Sequence, residues 1–169
     1  MAIHNVVQGK QYASYNVDSY NRTAVATVDM DNGCVMKLTK YSETPGEGTV
    51  WQAEQATATD TGLWMAMAPE VVSVEPVDGL VIRGITPDPR AFTNVANKPF
   101  DVVLLQKGDI LEMTGAGING IDTAEYLVPS ATNFMLETAT AAGTGLTLHK
   151  IGTSRLHIGN AALIKTPVT

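Results

Sequence analysis

Apolar and polar positions alternate with a period of two along Thr23–Met30 and again along Cys34–Thr39, the pattern of strands that bury one face. Between them, Asp31-Asn32-Gly33 supplies residues that tolerate positive φ, which predicts a hairpin joining the two. After a loop over Ser42–Thr49, Val50–Gln55 and Gly62–Ala68 read as strands around a Thr-rich turn, with Pro69 closing the second. Further strands are expected at Glu70–Val74 and Leu80–Arg83. Phe100–Leu105 and Asp109–Thr114 form an expected hairpin around Gln106-Lys107-Gly108. Tyr126–Val128 and Phe134–Thr138 follow. Gly145–Ile151, Ser154–Ile158 and Ala161–Lys165 make an expected meander, split at Gly152-Thr153 and Gly159-Asn160. Connections this short demand antiparallel pairing. One short helix is expected near 89–97, where Asp88 precedes Pro89 and Phe92, Val95 and Ala96 share a face before Pro99.

Residues 1–22 differ from the rest. They are polar, rich in Asn, Gln and Tyr, and offer little to bury before Ala24, so they read as an extended N-terminal arm on a single β domain spanning 23–169. On this reading, deleting the arm leaves the domain folded. The expected fold is mainly β, an antiparallel sandwich or barrel of short strands. Composition agrees: Thr and Val are abundant, 15 glycines punctuate the chain, and the sparse Lys, Arg and Glu do not suit exposed helices.

A hydrophobic share of 44% in 169 residues suffices for one core and excludes wholesale disorder. No apolar run approaches the ~20 residues of a membrane helix, and MAIHNVVQGK lacks a basic stretch followed by an apolar one, so neither membrane insertion nor Sec export is expected. A formal charge of −6 disfavours nucleic acid as a partner. The single Cys34 allows neither an internal disulfide nor a cysteine zinc site, and it reads as a half-buried structural thiol.

Motifs with chemical meaning are weak. Gly115-Ala-Gly117-Ile-Asn-Gly120 is a literal GxGxxG after a strand, with Glu137 near the place of a ribose-binding acid. Too little chain follows for the remaining βαβ units, so the segment reads as a glycine-rich turn. Asp29–Gly33 hints at a calcium loop, but Lys40 stands where the bidentate Glu belongs. His4, His149 and His157 lack metal-ligand spacing. No catalytic residue, cofactor or metal is expected.

The aromatic residues suggest binding. Tyr12, Tyr15 and Tyr20 lie on the polar arm and suit contact with another protein, since tyrosine offers large area at low entropic cost. Trp51 and Trp64 read as core or subunit-interface anchors. The segments Gln106–Met113 and Thr153–Ile164, in this Thr/Ala/Gly-rich β setting, resemble capsid decoration proteins of tailed bacteriophages, also called cement or auxiliary head proteins. The resemblance implies a non-enzymatic virion protein, made in the host cytoplasm and placed on the capsid outer surface. Its implied partners are the phage major capsid protein and copies of itself, as a homotrimer, and its implied role is to tie capsid subunits together after expansion. Two other readings stand beside it. One is a tail or fibre module binding host-surface carbohydrate through Trp51, Trp64 or the tyrosines. The other is an oligomeric β-fold enzyme with an inter-subunit site drawing on His149, His157 and Glu137.

Overall fold

The computed structural model describes residues 3–43, 49–70, 73–74, 84–85, 88–116, 118, 123, 125–156 and 159–165. Among them the chain is mainly β. Its strands are β1 (Val7–Gln11), β2 (Asn21–Val25), β3 (Val35–Tyr41), β4 (Trp51–Gln55), β5 (Trp64–Ala66), β6 (Ser73–Val74) and β7 (Gly84–Ile85). Then come β8 (Phe100–Leu104), β9 (Ile110–Met113), β10 (Tyr126–Pro129), β11 (Leu136–Ala139), β12 (Leu148–Leu156) and β13 (Gly159–Lys165). Five of them close a barrel in the order β2-β4-β3-β5-β8, and six form an open sheet in the order β1-β9-β13-β12-β10-β11. Strands β6 and β7 pair separately.

The period-two pattern explains how the layers join. On β3, Met36 faces the barrel interior and Val35 the six-stranded sheet; on β5, Trp64 and Ala66 point in and Met65 out; on β8, Phe100 and Val102 point in and Val103 out. The start of β3, with β5 and β8, therefore forms one wall with two buried faces, and there both alternating sets of residues are largely apolar; beyond Met36, β3 carries Lys37 and Lys40 and turns outward. Against their outer face the sheet sets Val7, Leu111, Met113, Leu127, Leu136 and Leu148. Each fully buried aliphatic side chain contributes ~1.5–3 kcal/mol.

Several expectations need correction. Residues 3–22 are not a detachable arm. Strand β1 pairs with β9, Val6 and Val7 are 0% and 8% exposed, and Asn5 is buried with its side chain bonded to Asn32, Thr114 and Gly115. Removing 1–22 would take a strand and part of the core, so the domain would not survive intact. The helix near 89–97 is a single 3-10 turn, Pro89–Ala91. Asp88 does cap it, accepting the Arg90 N–H, but Asn94 then leaves the turn to bridge with Met30, and Asn97 adopts φ +59°. Other 3-10 turns occupy Ala13–Tyr15 and Asp18–Tyr20.

Pairing also departs from the strictly antiparallel, hairpin-by-hairpin expectation. The turn at Asp31–Gly33 exists, with Gly33 at φ +90°, yet β2 and β3 do not pair. Instead β2 runs parallel to β4 and antiparallel to β8, while β3 lies between β4 and β5. The Gln106–Asp109 turn likewise does not close a hairpin; it carries the chain from the barrel into the sheet. Gly152 and Thr153 lie inside β12, just after a bulge between Lys150 and Gly152, so the expected three-strand meander is a two-strand hairpin. The strand expected at 80–83 lies outside the described residues.

Candidate partner-binding cleft

Residues Tyr12 and Tyr15 come together at the end of β1. Gly9 makes this possible, because a Cβ there would sit within the Tyr12 ring. The ring thus lies across the strand backbone, and the two tyrosines meet edge to face with centroids 5.3 Å apart and planes at 84°. Tyr12 packs on the inter-layer core, and desolvation, with a smaller contribution from Tyr15, raises its phenol above the ordinary tyrosine range. Tyr15 is 78% exposed.

Asp109 fixes this corner. Only 3% exposed, it accepts the Ala13 N–H at 2.9 Å through Oδ1 and the Gln106 N–H at 2.8 Å through Oδ2. One carboxylate therefore ties the 3-10 turn bearing Tyr15 to the tight turn after β8, where Gly108 adopts φ +91°. Between the two turns lies a cleft of about 500 Å³, lined by Lys10, Tyr12, Tyr15, Asn16 and Lys107 among others. The Lys10 ammonium rests 2.9 Å from the buried Glu112 carboxylate. Tyr20 does not line the cleft; it ends the next 3-10 turn, half-buried.

A second cavity, of about 380 Å³, is lined by His4, Asp31, Cys34, Thr93 and Phe134 among others. His4 Nδ1 lies 2.7 Å from Asp31 Oδ1, which also accepts the Thr93 hydroxyl at 3.2 Å. A histidine–carboxylate pair beside a cysteine is an arrangement used for nucleophilic catalysis. Here burial, joined by the Asp31 charge, pushes the Cys34 thiol up to about 12, which keeps it protonated at neutral pH. Among the described residues, no group of three His, Cys, Asp or Glu side chains is placed to hold a metal ion.

Of the residues of the enzymatic reading, the described His149 and Glu137 lie on separate strands. His149 stacks on Tyr126 at 5.1 Å, and Glu137 lies on β11 opposite Val128, so β10 separates the two. His157 lies outside the described residues, as do Gly117 and Gly120. Gly115 adopts φ +71° and its carbonyl accepts the Ile118 N–H, which is a turn.

Trp64 is buried in the barrel interior, 6% exposed. Trp51, at the start of β4, touches Tyr41 with centroids 4.4 Å apart. The Arg22 guanidinium lies over both indoles, its Cζ 4.2 Å from the Trp51 centroid and 4.6 Å from that of Trp64. Arg22 falls at the end of the polar segment 1–22, which hides its role in the sequence. Extending the alternation back from inward-facing Ala24 by two residues would have put it on the barrel's inner face.

Searches against known protein families, characterised proteins and solved structures find no match to the chain.

Proposed function

We propose that this chain is a structural virion protein that binds the outer surface of a tailed-phage capsid, as a homotrimer, and ties neighbouring major capsid subunits together. The observation that carries the reading is the Tyr12–Tyr15 corner: a 78%-exposed tyrosine held by a partner ring and by the Asp109 staple. Rigid aromatic side chains at a fixed surface position lose little entropy on binding and are typical anchors of protein interfaces. Contacts made only with the expanded shell would favour that state by mass action. The carbohydrate reading has less support, since Trp64 is buried and Trp51 is engaged by Arg22 and Tyr41. The enzymatic reading calls for a site between subunits, and within one chain no described contact joins His149 to Glu137 in its support.

The test is to mix the purified protein with emptied, expanded heads from a tailed phage that encodes it, and to measure occupancy by imaging. Tyr15→Ala removes an exposed ring and is expected to preserve the fold. It should weaken head binding about tenfold or more, the range of an interface hot spot. Failure of the intact protein to bind heads, or undiminished binding by Tyr15→Ala, overturns the reading.

A further inference from the structure

We propose that the end of the barrel where β2 and β4 begin is a carboxylate-binding site, with Arg22 as its anchoring cation and an acidic segment of a partner polypeptide as its occupant. It stands independently of the capsid reading and uses none of the cleft residues.

Arg22 differs from other cations of this chain. Arg90 pairs with Asp88, Lys37 with Asp60 and Lys10 with Glu112. Among the described residues, by contrast, no carboxylate pairs with Arg22, although the chain carries 17 acidic residues against 11 Lys and Arg. Its described contacts are the faces of two indoles. Cation–π contact holds a guanidinium in place without using its N–H donors. The cation is thus half-buried, oriented and still able to hydrogen-bond. Leaving such a group unpaired costs stability, and an incoming acceptor would recover that cost.

The surroundings narrow the ligand. A guanidinium fork matches a carboxylate in bidentate fashion, and one positive charge balances one carboxylate. Sugar acids are disfavoured because a pyranose binds by stacking on an open indole face, and both indoles are already engaged. A one-residue bulge in β3, between Leu38 and Tyr41, sets Tyr41 opposite Trp51. Its ring, 52% exposed, gives the site an aromatic rim suited to the aliphatic stem of a glutamate.

The chain's two tryptophans are Trp51 and Trp64, so intrinsic tryptophan fluorescence reports on this site alone. The full chain is titrated with acetyl-Glu-Glu-Glu-amide at constant ionic strength, with acetyl-Gln-Gln-Gln-amide, inorganic phosphate and oligoglucuronate as separate arms. A saturable emission change with the Glu peptide is expected, accompanied by a shift of the Arg22 side-chain N–H resonance in the unmodified protein. Arg22→Gln should weaken the response at least tenfold, and Arg22→Lys, which keeps the charge but loses the fork, should weaken it less. The resonance shift decides the matter even where Arg22→Gln fails to fold. No saturable change, an equal response to the Gln peptide, or tighter binding of phosphate or oligoglucuronate overturns the proposal.

Discussion

Inside the barrel, Ala24, Ala26, Ala53 and Ala66 face Trp64, Phe100, Met30 and Met36, whereas between barrel and sheet Leu105, Leu111, Leu127, Leu136 and Leu148 meet Val35, Met65 and Val103. The difference follows from closure. A five-stranded barrel has a fixed and narrow bore, so each large ring needs small residues opposite it. The space between two stacked sheets, ~10 Å deep, accepts branched side chains from both sides. Strands β3, β5 and β8 serve both interiors, and their alternate residues are chosen by different rules. The lesson is that one wall can be crowding-limited on one face and filling-limited on the other.

The comparison can be broken in the inter-layer core first. Leu111→Ala removes a fully buried side chain there and should cost ~2–5 kcal/mol in urea unfolding, the largest effect expected. A loss below about 1 kcal/mol would mean that the sheet collapses onto the barrel and that the layer is not filling-limited. Ala66→Leu tests the other face of the wall. Ala66 is 0% exposed in a bore that cannot widen, so the added bulk should destabilise by ~1–3 kcal/mol. A neutral or stabilising result would remove the claim that crowding governs the barrel.

The smallest effect concerns the boundary between the two regions. Asn32, 2% exposed, donates to the Ala68 carbonyl and to Glu70, whose carboxyl also accepts the N–H of Val7 on β1. Burial raises the Glu70 carboxyl above the ordinary carboxylate range, and the bonds from Asn32 and Val7 offset this only in part. A raised folded-state value means that the native protein holds the proton more tightly than the unfolded chain. Stability is then greatest at low pH and falls as pH rises through the raised value. Asp60 has the opposite sign, because bonds from Thr57 lower its carboxyl, and that contribution is lost as pH falls below the ordinary aspartate value. Glu70→Gln should therefore flatten the decline in melting temperature above pH ~4.5 and leave the low-pH limb unchanged. An unaltered slope would remove Glu70 from this boundary.

Much of the local structure was legible. Asp31-Asn32-Gly33 and Gln106–Asp109 are turns because Gly33 and Gly108 accept positive φ, and Asp88 caps a 3-10 turn because its side chain reaches the Arg90 N–H. Within the candidate site, the tyrosines could be named but not assembled. Nothing local shows that Gly9 clears space for the Tyr12 ring, or that Asp109 reaches back to Ala13 across 96 positions. Tyr20 looked equivalent to the other two and does not line the cleft. Arg22 is not legible as a site residue because the alternation becomes obvious only from Thr23, whereas β2 already begins at Asn21.

The sequence by itself determined the class of the fold, the approximate position of most described strands and which residues of a strand share a face, since these follow from alternation and from the φ that glycine, asparagine and aspartate tolerate. Only the tertiary structure decided which strands pair. The expected hairpins at Asp31–Gly33 and Gln106–Asp109 failed in the same way: the turn formed, but its two strands went to different neighbours, β2 to β4 and β8, and β9 away from β8 altogether. A turn is set by a few dihedral angles within one short segment. Pairing is set by which apolar faces can be buried at the same time, and here that required the start of β3, with β5 and β8, to be buried on both sides while β1 closed the edge of the sheet beside β9. No local stretch of residues carries that information, because it belongs to the sum of contacts between segments far apart in the chain.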